Sequence, residues 1–316
     1  MTDTQNEVFK TPVNKIRLFE HGAPGSQNLK LTRKYYTEDM PDGRVKHIVQ
    51  NITDPDIVPY IPDGIGNSTD RQRIPAVLII PGGAFRRLVY NFEGEDVAKW
   101  LNSMGIAAFV LECRLPSDEH DNAEDVPLID AMRAMRVIRG RAQEFGIDEA
   151  KIGVMGFSAG GFMAALLSTA YESDVYADYK YKDEYDKLSA RPDFAVCSYP
   201  VISIDDCIEA GKRYMSEEQV LERISDSKAK ILHKYNPDKL VRPDMPPVFI
   251  CETDDDRTTL SENSVGFYMA ARKAGVSAEL HIFRTGGHGY GCGDDFAQTG
   301  AVSYTHLRAH ETDSYL

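Results

Sequence analysis

The 316-residue sequence predicts an α/β fold, a mostly parallel sheet with helices on both faces and a small helical cap. Three observations point there. From residue 74 onward, short apolar runs alternate with longer helical patterns, the order that successive strand–helix–strand units produce. The segment KIGVMGFSAGGFMAA, residues 151–165, is a strand, a tight turn and a helix in direct succession. The length suits one core of roughly 200–250 residues with extensions better than two domains.

Residues 1–73 are polar and rich in turn formers, and read as an N-terminal extension. Within it, Leu29–Tyr36 and Val45–Val49 are candidate antiparallel edge strands, and Asn51–Arg73, with three prolines, reads as a loop. The main domain spans 74–301 and opens with the strand Ile74–Ile80 and the turn Pro81-Gly82-Gly83-Ala84-Phe85. A helix is predicted over 125–146. Pro127 suits its first turn, Leu128, Met132, Met135, Ile138, Ala142 and Phe145 form one apolar stripe, and Gly146 stops it. A buried strand at 151–156 and a buried helix at 159–171 follow. The stretch 171–191 carries Tyr171, Tyr176, Tyr179, Tyr181 and Tyr185 among charges. It reads as a solvated loop or helix face rather than a stacking surface for sugars. Residues 204–245 lack strong strand signals and read as a helical cap. Pro246–Cys251 is a strand, SENSVGFYMAARKAG a helix ending at Gly275, and Ala278–Phe283 the last strand.

The spacing Gly156-Phe157-Ser158-Ala159-Gly160 between strand and helix is the nucleophile-elbow pattern. A serine hydroxyl is a weak nucleophile and must be held clear of the sheet, beside a base and beside donors for developing negative charge. A lone serine in a turn also serves as a helix N-cap, but the strand before and the helix after favour the elbow. The order Ser, Asp, His asks for partners later in the chain. His288 stands among Gly286, Gly287, Gly289 and Gly291 on a loop after the last strand, a place for a base rather than a core histidine. Asp254, Asp255 and Asp256 leave the strand before it. Asp256 is the preferred acid, Asp255 the runner-up, and Asp254 a candidate brace for the loop. Small residues after the Ile74–Ile80 strand let backbone N–H groups face a reacting carbonyl, so Gly83, Ala84 and Ala159 are the candidate oxyanion donors.

Composition narrows the partners. The formal charge is −13 and the basic residues are scattered, which argues against nucleic acid. No apolar run approaches membrane-spanning length, and MTDTQNEVFKTPVNK lacks an apolar stretch of signal-peptide type, so the expected location is the cytoplasm. The five cysteines, Cys113, Cys197, Cys207, Cys251 and Cys292, lack C-x-x-C spacing and read as buried reduced thiols. No cluster has convincing metal spacing. The Asp254–Asp256 run is assigned to acid duty rather than to a hard cation, and no cofactor is expected. Residues 302–312, VSYTHLRAHET, match a translated frame of a transposase sequencing adapter. Residues 302–316 are therefore read as a non-native tail in which His306 and His310 carry no function.

Together these segments resemble the α/β-hydrolase-fold esterases, in particular the acetyl-xylan-esterase-like and BD-FAE-like (feruloyl and acetyl esterase) branch. The matching runs include PGGAF, EGEDVAKWLNSMGIAAFVLECRLP, KIGVMGFSAGGFMAA, RPDFAVCSYPVIS, PPVFICETDDD, ENSVGFYMAARKAGV and AELHIFRTGGHGYG, and cover about residues 74 to 300. The resemblance implies a three-layer α/β-hydrolase fold. It also implies an acid six residues before the glutamate of the ENS run, which counts back from Glu262 to Asp256. The implied activity is hydrolysis of short acyl esters without a cofactor, with acylated sugars such as acetylated xylo-oligosaccharides as substrates. Three positions depart from the pattern. Ala84 replaces a third glycine, Phe162 a histidine after the elbow, and Glu252 a histidine before the acid loop. Two other readings share the residues. A prolyl-oligopeptidase-type peptidase has the same core and triad but usually a large N-terminal propeller, which the segment before Ile74 is too short to supply. A non-catalytic binding protein would not need the Ser158, Asp256 and His288 constellation.

Overall fold

In chain order the strands are β1 (Ile16–Arg17), β2 (Lys34–Asp39), β3 (Val45–Gln50), β4 (Asp56–Tyr60), β5 (Ile74–Ile80), β6 (Leu88–Val89), β7 (Ala107–Glu112), β8 (Ile147–Phe157), β9 (Ala195–Ser198), β10 (Val248–Thr253) and β11 (Ala278–Phe283). The α-helices are α1 (Asp96–Ser103), α2 (Val126–Gly140), α3 (Ala142–Phe145), α4 (Ala159–Ala170), α5 (Ile204–Lys212), α6 (Ser227–Lys234) and α7 (Ser261–Lys273). This computed structural model describes residues 9, 12–65, 73–213, 216, 218–219 and 227–291. Residues 302–316, Cys292 and part of the expected cap lie outside them.

Eight strands form one sheet in the order β1-β4-β7-β5-β8-β9-β10-β11. The pairs β1–β4 and β4–β7 are antiparallel, and every pair from β7 to β11 is parallel. A parallel sheet covered on both faces needs continuous apolar strands. β5, β7, β9 and β10 meet that need: Ala76–Ile80, Ala107–Glu112, Ala195–Ser198 and Val248–Thr253 are buried throughout. This is the α/β-hydrolase architecture expected from the sequence. The order also fixes where a site can form. The chain leaves β5 for β7 on one side, then returns across to β8 on the other. Such a reversal opens a crevice at the carboxyl ends of the two central strands. The turn after β5 and Ser158 after β8 both sit there. The register Ile80↔Gly156 brings both strand ends to the same height.

The N-terminal segment is more integral than its composition foretells. β1 and β4 extend the main sheet, although Asn51–Arg73 reads as a loop in sequence. The proline in β4 is tolerated because the strand lies next to the edge and its outer neighbour, β1, pairs with only two of its residues. β2 and β3 do pair antiparallel, but with β6 in a separate three-stranded sheet. The helix expected over 125–146 is split. α2 ends at Gly140, Arg141 breaks the geometry at φ −104°, ψ 16°, and α3 ends at Gly146 with φ +68°. The whole predicted stripe is buried.

The tyrosine-rich segment is also different from a solvated face. It connects the end of α4 to the start of β9, so it lies at the opposite end of the sheet from Ser158. Tyr171 and Tyr176 are buried, and Tyr179 and Tyr185 pack against the core. The cause lies on α2. Arg133 bonds Asp183 and Asp186, and Arg133 and Arg136 stack on Tyr185 and Tyr176. Only Tyr181 is largely exposed, with His21 4.7 Å from its ring centre and Lys180 4.8 Å. At the other end, Lys234 and Tyr235, at the end of α6, bond the Asp125 carboxylate at the start of α2. Of the expected cap, α5 and α6 are therefore placed near the carboxyl ends of the strands.

Candidate active site

The turn between β8 and α4 is built by glycines. A Cβ on Gly156 would collide with the Gly160 carbonyl oxygen, and one on Gly160 with the Ile80 carbonyl oxygen. Strand, helix and neighbouring strand therefore close on each other, and Ser158 is held at φ 52°, ψ −118°. A non-glycine residue in this left-handed region is strained, and such strain persists only where its surroundings over-determine it. The surroundings do so here: Ser158 N–H donates to the Ser198 carbonyl at 3.0 Å, and Phe162 N–H donates to the Ser158 carbonyl at 3.0 Å.

The structure brings the three sequence-predicted residues into one line. Ser158 Oγ lies 2.9 Å from His288 Nε2, and His288 Nδ1 lies 2.6 Å from Asp256 Oδ2. Asp256 is buried and His288 partly exposed. An imidazole whose Nδ1–H donates to a carboxylate presents its Nε2 lone pair to the serine hydroxyl, which is the protonation state a general base needs. Asp256 is held from several sides. Its Oδ1 accepts the N–H groups of Thr258 at 2.7 Å and Thr259 at 3.0 Å, and its Oδ2 accepts the Thr259 hydroxyl at 2.9 Å. Burial pushes the Asp256 carboxyl up, but the hydrogen bond and charge of His288 and the Thr258 and Thr259 N–H groups pull it net below its ordinary range.

The three consecutive aspartates separate in space. Asp255 points away from the imidazole and accepts the Gly287 N–H at 2.8 Å, which holds its exposed carboxylate low and braces the histidine loop. The Asp254 carboxylate faces the Ser261 hydroxyl. The loop brace expected of Asp254 is thus supplied by Asp255. The three carboxylates diverge, and the described residues contain no group of three His, Cys, Asp or Glu placed to hold a metal ion.

The turn after β5 presses against Ser158. A Cβ on Gly82 would lie 3.0 Å from the Cβ of Ser158 and 2.7 Å from Glu93 Oε2. Gly83, Ala84 and Phe85 all have positive φ, at 135°, 57° and 59°. The Gly82 N–H is taken by Glu93 Oε2 at 2.8 Å. The N–H groups of Gly83, Ala84 and Ala159 have no acceptor among the described residues. They remain available to an oxyanion, with Ala159 at the positive end of the α4 dipole.

The departures from the family pattern have definite surroundings. Phe162 is buried and meets Phe85 edge to face at 5.5 Å, so it packs under the turn after β5. Glu252 is fully buried beside Asp256 and receives the Ser264 hydroxyl at 3.2 Å. Burial and the neighbouring Asp256 charge push its carboxyl up to about 9. It therefore stands neutral at pH 7. Sequence reasoning missed Glu93, Tyr199 and Thr259. Glu93 lies in a helix-start acidic run and Tyr199 in an apolar strand end, so neither carries a local signal.

This architecture and site define an α/β-hydrolase with a serine, histidine and aspartate at the carboxyl ends of its strands. The chain belongs to the BD-FAE family, whose model matches residues 65–270. Over 223 residues it is 31% identical to an acetylxylan esterase of Xylanibacter ruminicola, covering 70% of this chain and 42% of that protein. Over 227 residues it is 31% identical to endo-1,4-beta-xylanase B of Butyrivibrio fibrisolvens, covering 72% of this chain and 34% of the relative. The chain thus spans less than half the length of these curated relatives. A solved acetyl ester-xyloside bifunctional hydrolase from Caldicellulosiruptor lactoaceticus superposes with a TM-score of 0.69 at 33% identity, covering 96% of this chain and 97% of that one. The carboxylesterase Cest-2923 of Lactobacillus plantarum shares the fold at 20% identity, with a TM-score of 0.66 over 90% of this chain and 99% of its own.

Two outcomes follow from the acid loop. Asp256→Asn is expected to lower kcat on 4-nitrophenyl acetate by about 10³–10⁴-fold, because the asparagine favours the wrong imidazole tautomer. Asp255→Asn in the same assay is expected to stay within about tenfold of wild type, and loss with Asp255→Asn alone would reverse the assignment. The second concerns Glu252. The folded chain keeps its proton up to about pH 9, whereas an unfolded chain releases it near 4.5, so this group's contribution to stability declines as pH rises through that window. Urea unfolding at pH 5.5, 7 and 8.5 should show Glu252→Gln gaining on wild type at each step. A difference independent of pH would contradict the buried neutral acid.

Proposed function

We propose that the protein is a serine carboxylic-ester hydrolase that removes short acyl groups, acetyl foremost, from carbohydrate esters such as acetylated xylo-oligosaccharides. The observation that carries this reading is the continuous hydrogen-bonded line from Ser158 Oγ through His288 to the buried Asp256 carboxylate. In the first half-reaction His288 Nε2 takes the Ser158 proton as Oγ forms a bond to the ester carbonyl carbon. The resulting oxyanion is met by the N–H groups of Gly83, Ala84 and Ala159. The imidazolium, stabilised by Asp256, protonates the departing alcohol oxygen as the ester C–O bond breaks. Water then enters, gives a proton to His288 and attacks the acyl carbon; His288 returns that proton to Oγ as the acyl–Oγ bond breaks, releasing the carboxylic acid and regenerating the Ser158 hydroxyl. Apart from the ester and the attacking water, the groups in this cycle are the chain's own.

The size of one cavity supports a small acyl group. A cavity of about 10 Å³, roughly the room one water needs, is lined by Gly82, Phe85, Leu88, Ala159, Gly160 and Met163. Its lining is mostly apolar, with Arg87 and Arg114 also on it, and shares Gly82, Ala159 and Gly160 with the elbow and its facing turn, so a group as small as an acetyl methyl suits it better than a longer chain. The names of the xylan-directed relatives support the sugar alcohol. The α5 and α6 region near the strand ends is the natural place for alcohol selection. A cytoplasmic site of action is part of this reading and agrees with the buried, unpaired Cys113, Cys197 and Cys251. Among the described residues no helix is long and apolar enough to cross a membrane.

Acetate release from acetylated xylo-oligosaccharides, with 4-nitrophenyl acetate and butyrate alongside, tests the reading. Wild type should release acetate, Ser158→Ala should lose about 10³-fold or more in kcat, and butyrate should fall at least about tenfold below acetate in kcat/KM. Turnover of aryl esters without acetate release from the oligosaccharides would remove the sugar assignment. A folded protein with no turnover of either would contradict ester hydrolysis.

A further inference from the structure

The proposed mechanism leaves the buried carboxyl of Glu93 unused. Glu93, 5% exposed, follows the end of the small β-sheet and precedes α1. Both its oxygens are engaged, and both partners belong to the site. Oε2 accepts the Gly82 N–H at 2.8 Å, and Oε1 accepts the Tyr199 hydroxyl at 2.9 Å. The Tyr199 oxygen in turn accepts the Gly291 N–H at 3.1 Å. Gly82 immediately precedes the candidate oxyanion donors Gly83 and Ala84, and Gly291 closes the loop that carries His288. Tyr199 sits at φ 37° at the end of β9, and its ring meets those of His288 at 5.1 Å and Tyr290 at 4.5 Å. The loops carrying the donors and the base share no covalent neighbour, and this relay joins them.

We infer that Glu93, acting through Gly82 and Tyr199, is a positioning residue that holds the oxyanion turn and the histidine loop in mutual register for the reaction. The inference rests on the serine-hydrolase reading. A site that must fix donors to within about half an ångström needs support beyond its first layer of side chains. Burying a carboxyl is costly, and an apolar side chain would fill the space without that cost. Glu93 offers two acceptors to two loops at once, which no apolar side chain does. It touches no reacting atom and contributes only by orientation. An amide at this position accepts at one atom only, so Glu93→Gln breaks one of the two contacts at constant volume. Tyr199→Phe removes the hydroxyl that links Glu93 to Gly291.

The test is a double-mutant cycle on 4-nitrophenyl acetate, with phenylboronic acid as a probe that forms a tetrahedral adduct at the serine. Glu93→Gln and Tyr199→Phe should each lower kcat about tenfold, leave KM within about twofold, and weaken the boronic acid by the factor lost in kcat. The double variant should lose little more than either single one, because the two residues act as one unit. Wild-type kcat in both single variants, or losses that multiply in the double, would overturn the relay. A variant that fails to fold, or melts earlier with kcat unchanged, would assign Glu93 to the fold instead. Ser158→Ala, assayed alongside, separates the two levels. Turnover that survives it would sink the serine reading and the relay with it, while turnover lost there but kept in Glu93→Gln and Tyr199→Phe would sink the relay alone.

Discussion

The site depends on one close approach, the packing of Gly156 against Gly160 and of Gly160 against the Ile80 carbonyl. With no side chain at either glycine, β8 can turn directly into α4 and present Ser158 above the sheet with φ 52°. That single constraint places three things together: the Ser158 hydroxyl beside His288, a free N–H at Ala159, and the contact of Ser158 with the turn after β5. Because β5 and β8 are neighbours whose connections leave in opposite directions, the same point is also where the sheet opens a crevice. The placement of Ser158 and of the candidate oxyanion donors thus follows from glycine packing and strand order together.

His288 and Asp256 arrive from the other half of the sheet and are held by short-range braces. Asp255 fixes the Gly287 amide, Thr258 and Thr259 fix Asp256, and Thr253 donates its hydroxyl to the Gly287 carbonyl at 2.9 Å. The histidine loop is therefore tied to the acid loop twice before His288 itself bonds Asp256. Glu93 and Tyr199 connect that assembly to the turn after β5. Backbone strain falls in the same places: Ala84, Phe85, Ser158 and Tyr199 all carry positive φ. Asn51, Glu119 and Asn122 carry positive φ elsewhere, but the four at the crevice are matched by buried hydrogen bonds, as in a site whose geometry is fixed before substrate arrives.

What could be read from the sequence was whatever is encoded locally. The strands at Ile74–Ile80 and Ala278–Phe283 stand where their apolar runs place them, and the elbow helix begins at Ala159 because the turn residues dictate it. Ser158, Asp256 and His288 could be singled out because each sits in a turn whose composition is unusual for its neighbourhood. The parts that could not be read depend on distant partners. β4 is a strand because β7 lies beside it, and its proline hides that. Glu93 looks like an ordinary helix-start acid until Tyr199, 106 positions away, is seen to bond it. The tyrosine-rich stretch looks solvated until the α2 arginines fold it down. Glu252 looks like a charged residue at a strand end, and burial beside Asp256 makes it a neutral one.

The most direct test of the account is covalent labelling of Ser158. The folded protein is treated with an aryl organophosphate, and the adduct is counted by intact mass and located by peptide mapping. One equivalent on Ser158, lost in His288→Ala and absent from the denatured chain, is the predicted result, because only the assembled site makes that hydroxyl reactive. A folded, ester-hydrolysing protein that carries no adduct on Ser158, or carries it on another residue, would contradict the account.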